Sequence, residues 1–217
     1  TLLDGAVEDA SNRGRFLEQI LGQSDRLHAL ILDLLSLARI ESGAELMQFQ
    51  SIDIGALVRQ MVERHRARAE ARRQELLIHE AEPGLSAWAD EEALEQILDN
   101  LTDNALKYTP EGGRVELRWR SSGSHLILEV SDTGIGISEA DLPRIFERFY
   151  RVDRARSREL GGTGLGLAIV KHLAQAMKGS IRATSKMGEG TTFQVRLPMA
   201  PNSNRLGDAP SPRMVSS

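Results

Sequence analysis

The chain has 217 residues and a formal net charge of −4, which excludes the globally basic surface that non-specific nucleic-acid binding requires. It contains no cysteine, so disulfides, thiolate metal sites and a cysteine nucleophile are excluded. No apolar run approaches the roughly 20 residues that span a bilayer, and we expect a cytoplasmic polypeptide. Because it begins at Thr1 within a helical pattern, the chain is predicted to be a fragment of a longer protein.

The first predicted element is a long helix over residues 12–43, which ends at Ser42-Gly43. Its apolar residues recur at helical spacing: Phe16, Leu17, Ile20, Leu21, Leu27, Leu30, Ile31, Leu32, Leu34, Leu35, Leu37 and Ala38. An apolar arc this wide requires several neighbours, as in a helical bundle. Residues 1–7 are predicted to end an earlier helix, so residues 1–45 would form a helical hairpin whose first arm is mostly missing.

A second, amphipathic helix is predicted from the spacing of Ile54, Leu57, Val58, Met61 and Val62. Its C-terminal part carries five arginines: Arg64, Arg66, Arg68, Arg72 and Arg73. We interpret these arginines as a solvated helix face, and a basic binding patch is the alternative.

The rest of the chain alternates strands and helices. Strands are predicted where apolar and polar residues alternate, at 115–119, 126–130 and 193–197, with a hairpin turn at 122–124. The predicted fold class is α+β, with helices on one face of a mixed, mainly antiparallel sheet in a two-layer sandwich that follows the truncated hairpin. Residues 200–217 are predicted to be a disordered tail.

The helix predicted from about Asp90 to Tyr108 places three polar side chains beside its apolar stripe. At 100° per residue, Asn100, Asn104 and Lys107 lie within an arc of about 60°. Amide oxygens are hard ligands suited to Mg²⁺, and lysine supplies a point charge for phosphate. A polar helix edge with capping roles is the alternative interpretation of these three residues.

Two glycine clusters follow this helix. Asp132-Thr-Gly134-Ile-Gly136 comes directly after a predicted strand, which places a hydrogen-bond acceptor where backbone can approach a flat ligand. Gly161-Gly-Thr-Gly164-Leu-Gly166 opens a predicted helix over 168–177, an arrangement typical of phosphate sites. Its spacing matches neither the P-loop nor the dinucleotide fingerprint.

A stretch of arginines and aromatic residues, 138–162, separates the two clusters. A loop of this length inside a compact domain is often a lid, and its guanidinium groups could reach phosphate when it closes. A mobile surface excursion held by its aromatic side chains is the alternative.

Five motifs in this order resemble the ATP-binding domain of bacterial sensor histidine kinases. They are Leu98-Asp-Asn-Leu-Thr-Asp-Asn-Ala-Leu-Lys-Tyr-Thr-Pro110 (N box), Asp132-Thr-Gly-Ile-Gly-Ile137 (G1), Ile145-Phe-Glu-Arg-Phe-Tyr-Arg-Val-Asp153 (F box), Gly161-Gly-Thr-Gly-Leu-Gly-Leu-Ala-Ile-Val170 (G2) and Gly188-Glu-Gly-Thr-Thr-Phe193 (G3). The resemblance covers residues 53–199, the predicted catalytic domain. The helix at 12–43 is similar to the second helix of the family's dimerisation and phosphotransfer domain.

The resemblance implies a protein histidine kinase that transfers the γ-phosphoryl group of ATP to a histidine, for relay to an aspartate of a response regulator. Asn104 would bind Mg²⁺ with Asn100 assisting, and Lys107 and Arg151 would contact phosphates. Asp132 would accept from the adenine amino group. The residues implied to bind ATP are Asn104, Lys107, Tyr108, Asp132, Gly134, Gly136, Ile137, Arg151, Arg156, Gly162, Thr163, Gly164, Leu165, Gly166 and Thr192.

The family's phospho-acceptor motif, a histidine followed by an acidic residue and then Thr/Asn-Pro, is not present. None of the chain's histidines has that context: His28, His65, His79, His125 and His172. The acceptor is therefore expected upstream of Thr1, and we do not expect this chain to phosphorylate itself.

The same resemblance implies that the full-length protein is a homodimer that recognises a response-regulator receiver domain and no nucleic acid. Membrane anchoring of the full-length protein is an expectation from the family alone. An ATP-hydrolysing member of the same superfamily and a nucleotide-binding scaffold module are the alternatives. The ATPases place a glutamate one helical turn before the metal-binding asparagine, and an amide at Asn100 cannot serve as that general base.

Overall fold

The computed structural model describes residues 10–42, 47–80, 82–152 and 162–200. In chain order its elements are α1 (Ala10–Ser42), β1 (Phe49–Asp53), α2 (Ile54–Ala71), β2 (Glu75–Glu80), β3 (Ser86–Asp90), α3 (Glu91–Tyr108), β4 (Arg114–Ser122), β5 (His125–Asp132), α4 (Gly166–Ala176), β6 (Ser180–Lys186) and β7 (Gly190–Pro198). The predicted first arm at residues 1–7 and residues 201–217 of the predicted tail lie outside these ranges, whereas Ala200 is described and its N–H donates to the Ser86 carbonyl at 3.0 Å. The proposed domain boundaries stay a prediction.

Five strands form one mixed sheet in the order β2-β4-β5-β7-β6. Strand β2 runs parallel to β4, and the other neighbouring strands are antiparallel. Strands β1 and β3 form a separate antiparallel pair, which a bridge between Ala87 and Met199 joins to the end of the sheet. The predicted fold class is confirmed.

The core lies between one face of the sheet and helices α2, α3 and α4. The sheet contributes alternate residues of its three central strands: Val115, Leu117, Trp119, Leu126, Leu128, Val130, Phe193, Val195 and Leu197. Helix α3 contributes its apolar stripe: Leu94, Ile97, Leu98, Leu101 and Ala105. Alternate residues of the strands thus pack against the helix residues that recur every three or four positions. The sequence pattern predicts this packing.

Two aspartates set where α2 and α3 begin. Asp53 ends β1 and accepts a hydrogen bond from the Ala56 N–H at 2.9 Å, and Asp90 ends β3 and accepts from the Ala93 N–H at 2.9 Å. Each strand therefore passes into its helix without an intervening loop. An N-cap of this kind stabilises a helix by about 1 kcal/mol.

The arginine cluster of α2 pairs with acidic residues along α3. Arg64 contacts Asp99 at 2.8 Å, His65 contacts the same carboxylate at 2.9 Å, and Arg68 pairs with Asp103. The other arginines of the cluster also have partners within the chain: Glu63, Glu111 and the Leu106 carbonyl. Four of the five arginines thus have a carboxylate partner, which favours the solvated helix face over a basic binding patch.

Helix α1 packs on α3 and α4 through a narrow face. Leu37 is 3% exposed, and the Gln96 amide donates to the Ser36 hydroxyl at 3.2 Å. The rest of its wide apolar arc stays exposed: Leu17, Ile20, Leu21, Leu27, Ile31, Leu32, Leu34 and Leu35. In the part of the chain that the structure covers, no helix combines the length and apolarity needed to cross a membrane.

Candidate functional site

A cavity of about 410 Å³ lies between α3, the segment 138–152 and the glycine-rich segment 162–166. Most of the predicted site residues line it: Asn100, Asn104, Lys107, Tyr108, Asp132, Gly136, Ile137, Arg151, Gly162, Thr163, Gly164 and Gly166. Gly134, Leu165 and Thr192 are not among the lining residues, and Arg156 lies outside the described ranges. We call the region of Asp132, Gly136 and Thr191 the carboxylate end, and the region of Lys107, Gly162 and Thr163 the glycine-loop end.

Asp132 is the central group of the carboxylate end. Its Oδ1 accepts hydrogen bonds from the Gly134 N–H at 2.8 Å and the Thr191 N–H at 3.3 Å. Its Oδ2 accepts none from the residues described, so that oxygen remains available to a ligand. Burial raises the pKa of Asp132 to about 6, although the two N–H donors act in the opposite direction.

The backbone packs tightly around Asp132, and it is tightest at two glycines, Gly136 and Gly190. A methyl group at Gly136 would overlap the Lys186 carbonyl oxygen, and one at Gly190 would overlap the Asp132 carbonyl oxygen. Both glycines also have positive φ, 72° and 116°. The carboxylate end is therefore shaped by tightly packed backbone.

Strand β7 presents Thr191, not Thr192, to the cavity. The Thr192 hydroxyl instead lies 2.7 Å from the Ser131 hydroxyl on the neighbouring strand. Successive strand residues point to opposite faces, so a shift of one residue separates these two positions. The sequence alternation that places Phe193 and Val195 in the core could have identified Thr191, because these three residues lie on the same face of the strand.

Two cationic groups meet at the glycine-loop end. Lys107 is only 8% exposed, and a methyl group built on Gly162 would lie 2.7 Å from its Nζ and 3.6 Å from Nη2 of Arg151. Helix α4 begins beside them, with Leu165 at its N-cap and no capping side chain. Uncapped N–H groups at a helix N-terminus, with two cations next to them, favour an anionic ligand.

The two asparagines of α3 lie between these ends. Asn100 donates to the Gln96 carbonyl at 2.9 Å, and its Oδ1 would lie 2.6 Å from a methyl group on Gly166. Asn104 lines the cavity, and its amide has no hydrogen-bond partner within the described ranges. That amide oxygen can therefore serve as a ligand for a hard cation.

Segment 138–152 forms one wall of the cavity. Tyr150 lines it, donates its O–H to Asp141 Oδ1 at 2.5 Å, and lies 4.3 Å beneath the Arg144 guanidinium. The Phe149 N–H donates to the Gly164 carbonyl at 2.9 Å, which joins this wall to the glycine-loop end. The rest of the predicted lid, 153–161, lies outside the residues described.

Helix α1 contributes two further cavity residues that the sequence motifs did not indicate. Ala29 and Asp33 both line the cavity, and the Thr163 hydroxyl donates to Asp33 Oδ2 at 2.7 Å. Burial raises the pKa of Asp33, and the Thr163 hydrogen bond partly offsets it. No local pattern predicts a contact between residues 130 positions apart.

The chain is similar to known proteins both in sequence and in fold. Residues 89–201 match the family described as histidine kinase-, DNA gyrase B-, and HSP90-like ATPase. The sensor-like histidine kinase SenX3 of Mycolicibacterium smegmatis is 38% identical over 203 residues, which cover 94% of this chain and 53% of the relative. The chain thus spans about half the length of that relative.

Two solved structures extend the comparison. Full-length ShkA in complex with AMPPNP matches with a TM-score of 0.76 and 33% identity, over 88% of this chain and 39% of that chain. Histidine kinase ThkA in complex with the response regulator TrrA matches with a TM-score of 0.70 and 20% identity, over 87% of this chain and 52% of that chain. The second likeness shows the fold alone.

This chain belongs to the histidine kinase-, DNA gyrase B-, and HSP90-like ATPase family, and within it corresponds to the catalytic portion of sensor histidine kinases. The family resemblance carried by the five motifs is confirmed.

Proposed function

We propose that this chain binds ATP with Mg²⁺ in the cavity and donates the γ-phosphoryl group to a histidine outside residues 1–217, for relay to an aspartate of a response regulator. The observation that carries the proposal is the chemical asymmetry of the cavity. A partly buried acceptor, Asp132, lies at one end, and Lys107 and Arg151 flank Gly162 at the other. An adenine amino group suits the first end and phosphates suit the second.

The length of α3 that lines the cavity, from Tyr108 to Asn100, supports an extended nucleotide. The Ile135 N–H donates to the Tyr108 carbonyl at 3.2 Å, which places Tyr108 beside the carboxylate end. Asn100 lies next to Gly166 at the start of α4. Eight residues of helix separate Tyr108 from Asn100, or about 12 Å at 1.5 Å per residue.

Asn104 is the residue that would hold Mg²⁺. Among the residues described, no group of three or more His, Asp or Glu side chains could bind a metal on its own. Mg²⁺ bound at a single amide oxygen takes its other ligands from substrate phosphates and water, as is common for this ion. When bound, it neutralises charge on the phosphates, and Lys107 adds a fixed positive charge on the same side.

No histidine within the described ranges lines the cavity. His65 contacts Asp99 on α3 at 2.9 Å, and His79 lies on β2, which pairs with β4. Phosphoryl transfer requires the acceptor nitrogen in line with the γ-phosphate. We therefore infer that this chain binds ATP without phosphorylating itself.

ATP hydrolysis, the alternative within the family, lacks its glutamate general base on α3. The residue one turn before Asn104 is the amide Asn100. The carboxylates next to them on α3 are paired with arginines: Asp99 contacts Arg64, and Asp103, which lines the cavity, pairs with Arg68. Bound ATP should therefore persist, which suits a kinase better than an ATPase.

The partners follow from the same proposal. A response-regulator receiver domain is the downstream partner, as the ThkA–TrrA complex illustrates for a protein of the same fold. The exposed apolar residues of α1 are where a second copy would pack in a full-length homodimer. We propose a cytoplasmic location for this portion and no nucleic-acid partner, given the net charge of −4.

Radiolabelled ATP tests the proposal with three samples. They are this chain, a longer form of the same protein that contains the proposed acceptor histidine, and the longer form with that histidine changed to glutamine. We expect acid-labile label on the second sample only. Asn104→Ala in the longer form is the matched control for the metal site and should abolish the label. Acid-labile label on the short chain would show that one of its own histidines is an acceptor and would contradict the proposal.

A further inference from the structure

The contact between α1 and the cavity is not used by the proposed phosphoryl transfer. Ala29 and Asp33 line the cavity, and one turn further on Ser36 contacts Gln96 and Leu37 is buried. These residues recur every three or four positions, so one face of α1 rests against α3 and α4.

Distances along α3 show which end of the cavity α1 covers. Tyr108 lies beside Asp132, Asn100 beside the start of α4, and Gln96 beside Ser36 of α1. At 1.5 Å per residue, Asn100 and Gln96 lie about 12 Å and 18 Å from Tyr108 along the helix axis. Helix α1 therefore crosses the cavity at the end opposite Asp132, where the terminal phosphate of a nucleotide held by Asp132 would lie.

At that end Asp33 accepts the hydrogen bond of the Thr163 hydroxyl, which a phosphate could otherwise accept. The Thr163 hydroxyl donates to Asp33 Oδ2 at 2.7 Å and accepts from the Leu165 N–H at 3.2 Å. Its single proton is committed, so a terminal phosphate has to displace Asp33 to use it. A carboxylate at this place would also repel the terminal phosphate, whereas a diphosphate would end closer to Lys107 and Gly162.

We propose that Asp33 is a specificity-determining residue that, while α1 is docked, disfavours a nucleoside triphosphate relative to the diphosphate. ATP binding then releases α1 from Thr163, and by reciprocity any signal that moves α1 away raises the affinity for ATP. The inference rests on the proposed function, because it takes the cavity to hold an adenine nucleotide with its base at Asp132.

Calorimetry with the whole chain tests this inference, using ADP and the non-hydrolysable analogue AMPPNP, each with Mg²⁺. Asp33→Asn keeps the size of the side chain and its acceptor oxygen but removes the charge. We expect the affinity for AMPPNP to rise about tenfold and the affinity for ADP to change by less than about twofold. Glu18→Gln, an exposed change on the same helix, is the matched control and should alter neither affinity.

Hydrogen exchange on the unmodified chain provides the second readout. Amides of residues 29–37 should lose protection when AMPPNP binds and keep it when ADP binds. Equal protection with both nucleotides, or an unchanged AMPPNP-to-ADP affinity ratio in Asp33→Asn, would overturn this inference and leave the proposed function standing. Absence of binding by either nucleotide to the unmodified chain would overturn both.

Discussion

The two ends of the cavity are built by different means. At the carboxylate end, methyl groups added at Gly136 and Gly190 would overlap backbone carbonyl oxygens. At the glycine-loop end, a methyl group at Gly162 would meet only the tip of a side chain, Lys107 Nζ at 2.7 Å. Rigid backbone can select a flat base by shape, whereas rotatable cations can follow phosphate groups whose number and position change during transfer.

Alanine substitutions at glycine should show the largest difference in stability between the two ends. Gly136→Ala combines positive φ with backbone overlap and should lower the free energy of unfolding by about 3–4 kcal/mol. Gly162→Ala requires only that the Lys107 side chain shift, and should cost less than about 1 kcal/mol. Urea denaturation measures both.

Gly188→Ala is the control that isolates backbone strain. Gly188 has a φ of 79° and nothing within 4 Å of an added methyl group, so the expected loss is about 1 kcal/mol. Equal losses in Gly136→Ala and Gly162→Ala would remove the distinction between a rigid and an adaptable end.

Asp132→Asn should have the next largest effect, and it should act on every adenine ligand alike. Replacing the carboxylate with an amide removes a charge-assisted hydrogen bond worth about 1.5–3 kcal/mol, or roughly one to two decades in affinity. Calorimetry with adenosine, ADP and ATP should show the same factor for all three. Glu139→Gln, an exposed carboxylate outside the cavity, should bind normally. Unchanged adenosine binding in Asp132→Asn would place the base elsewhere.

The same substitution should stabilise the empty protein. Burial raises the pKa of Asp132 from 3.8 to about 6, so this group contributes stability that is fully present below pH 3.8 and is lost as the pH rises through about 6. At pH 7.5 the buried charge is therefore destabilising, and Asp132→Asn should raise the free energy of unfolding by about 1–2 kcal/mol. Thermal denaturation at pH 7.5 and pH 4 should show the gain at the higher pH only.

Lys107→Met tests the opposite end. The substitution keeps the length of the buried stem and removes the charge beside Gly162. Affinities for ADP and ATP should fall about tenfold, because one charge-assisted contact is lost, and the affinity for adenosine should stay the same. A parallel loss of adenosine binding would mean that Lys107 supports the whole cavity and not the phosphates alone.

The smallest effect is expected from pH. Asp132 must be ionised to accept from an adenine amino group, and about a quarter of it is ionised at pH 5.5 when its pKa is about 6. Adenosine affinity should therefore fall about fourfold between pH 7.5 and pH 5.5. Asp132→Asn should show a flat profile over the same range, and an equally steep profile in that variant would assign the titration to another group.

The sequence predicted the parts of the site that lie on single elements. The helical spacing of Asn100, Asn104 and Lys107, and the strand that ends at Asp132, follow from local periodicity. The parts built by distant segments could not be predicted in this way. Asp33 meets Thr163 across 130 residues, and the arginines of α2 meet acids on α3, because tertiary packing selects those partners.

Several short strands could not be predicted from local pattern either. β1, β3 and β6 are short or lack a strong alternation of apolar and polar residues, and their pairing with distant strands defines them. The difference between Thr191 and Thr192 was within reach of local pattern, because Thr191 lies on the same strand face as Phe193 and Val195.

The hydrogen bond from the Phe149 N–H to the Gly164 carbonyl, at 2.9 Å, has a consequence for chain length. This hydrogen bond joins the residues on either side of the segment 150–163. The fold on both sides therefore depends on that contact and not on the number of residues between its two partners. The entropic cost of closing a flexible loop grows only with the logarithm of its length, by about 0.6 kcal/mol for each doubling. Insertions between these anchors should therefore cost little stability, so a reporter peptide placed there should leave the fold intact.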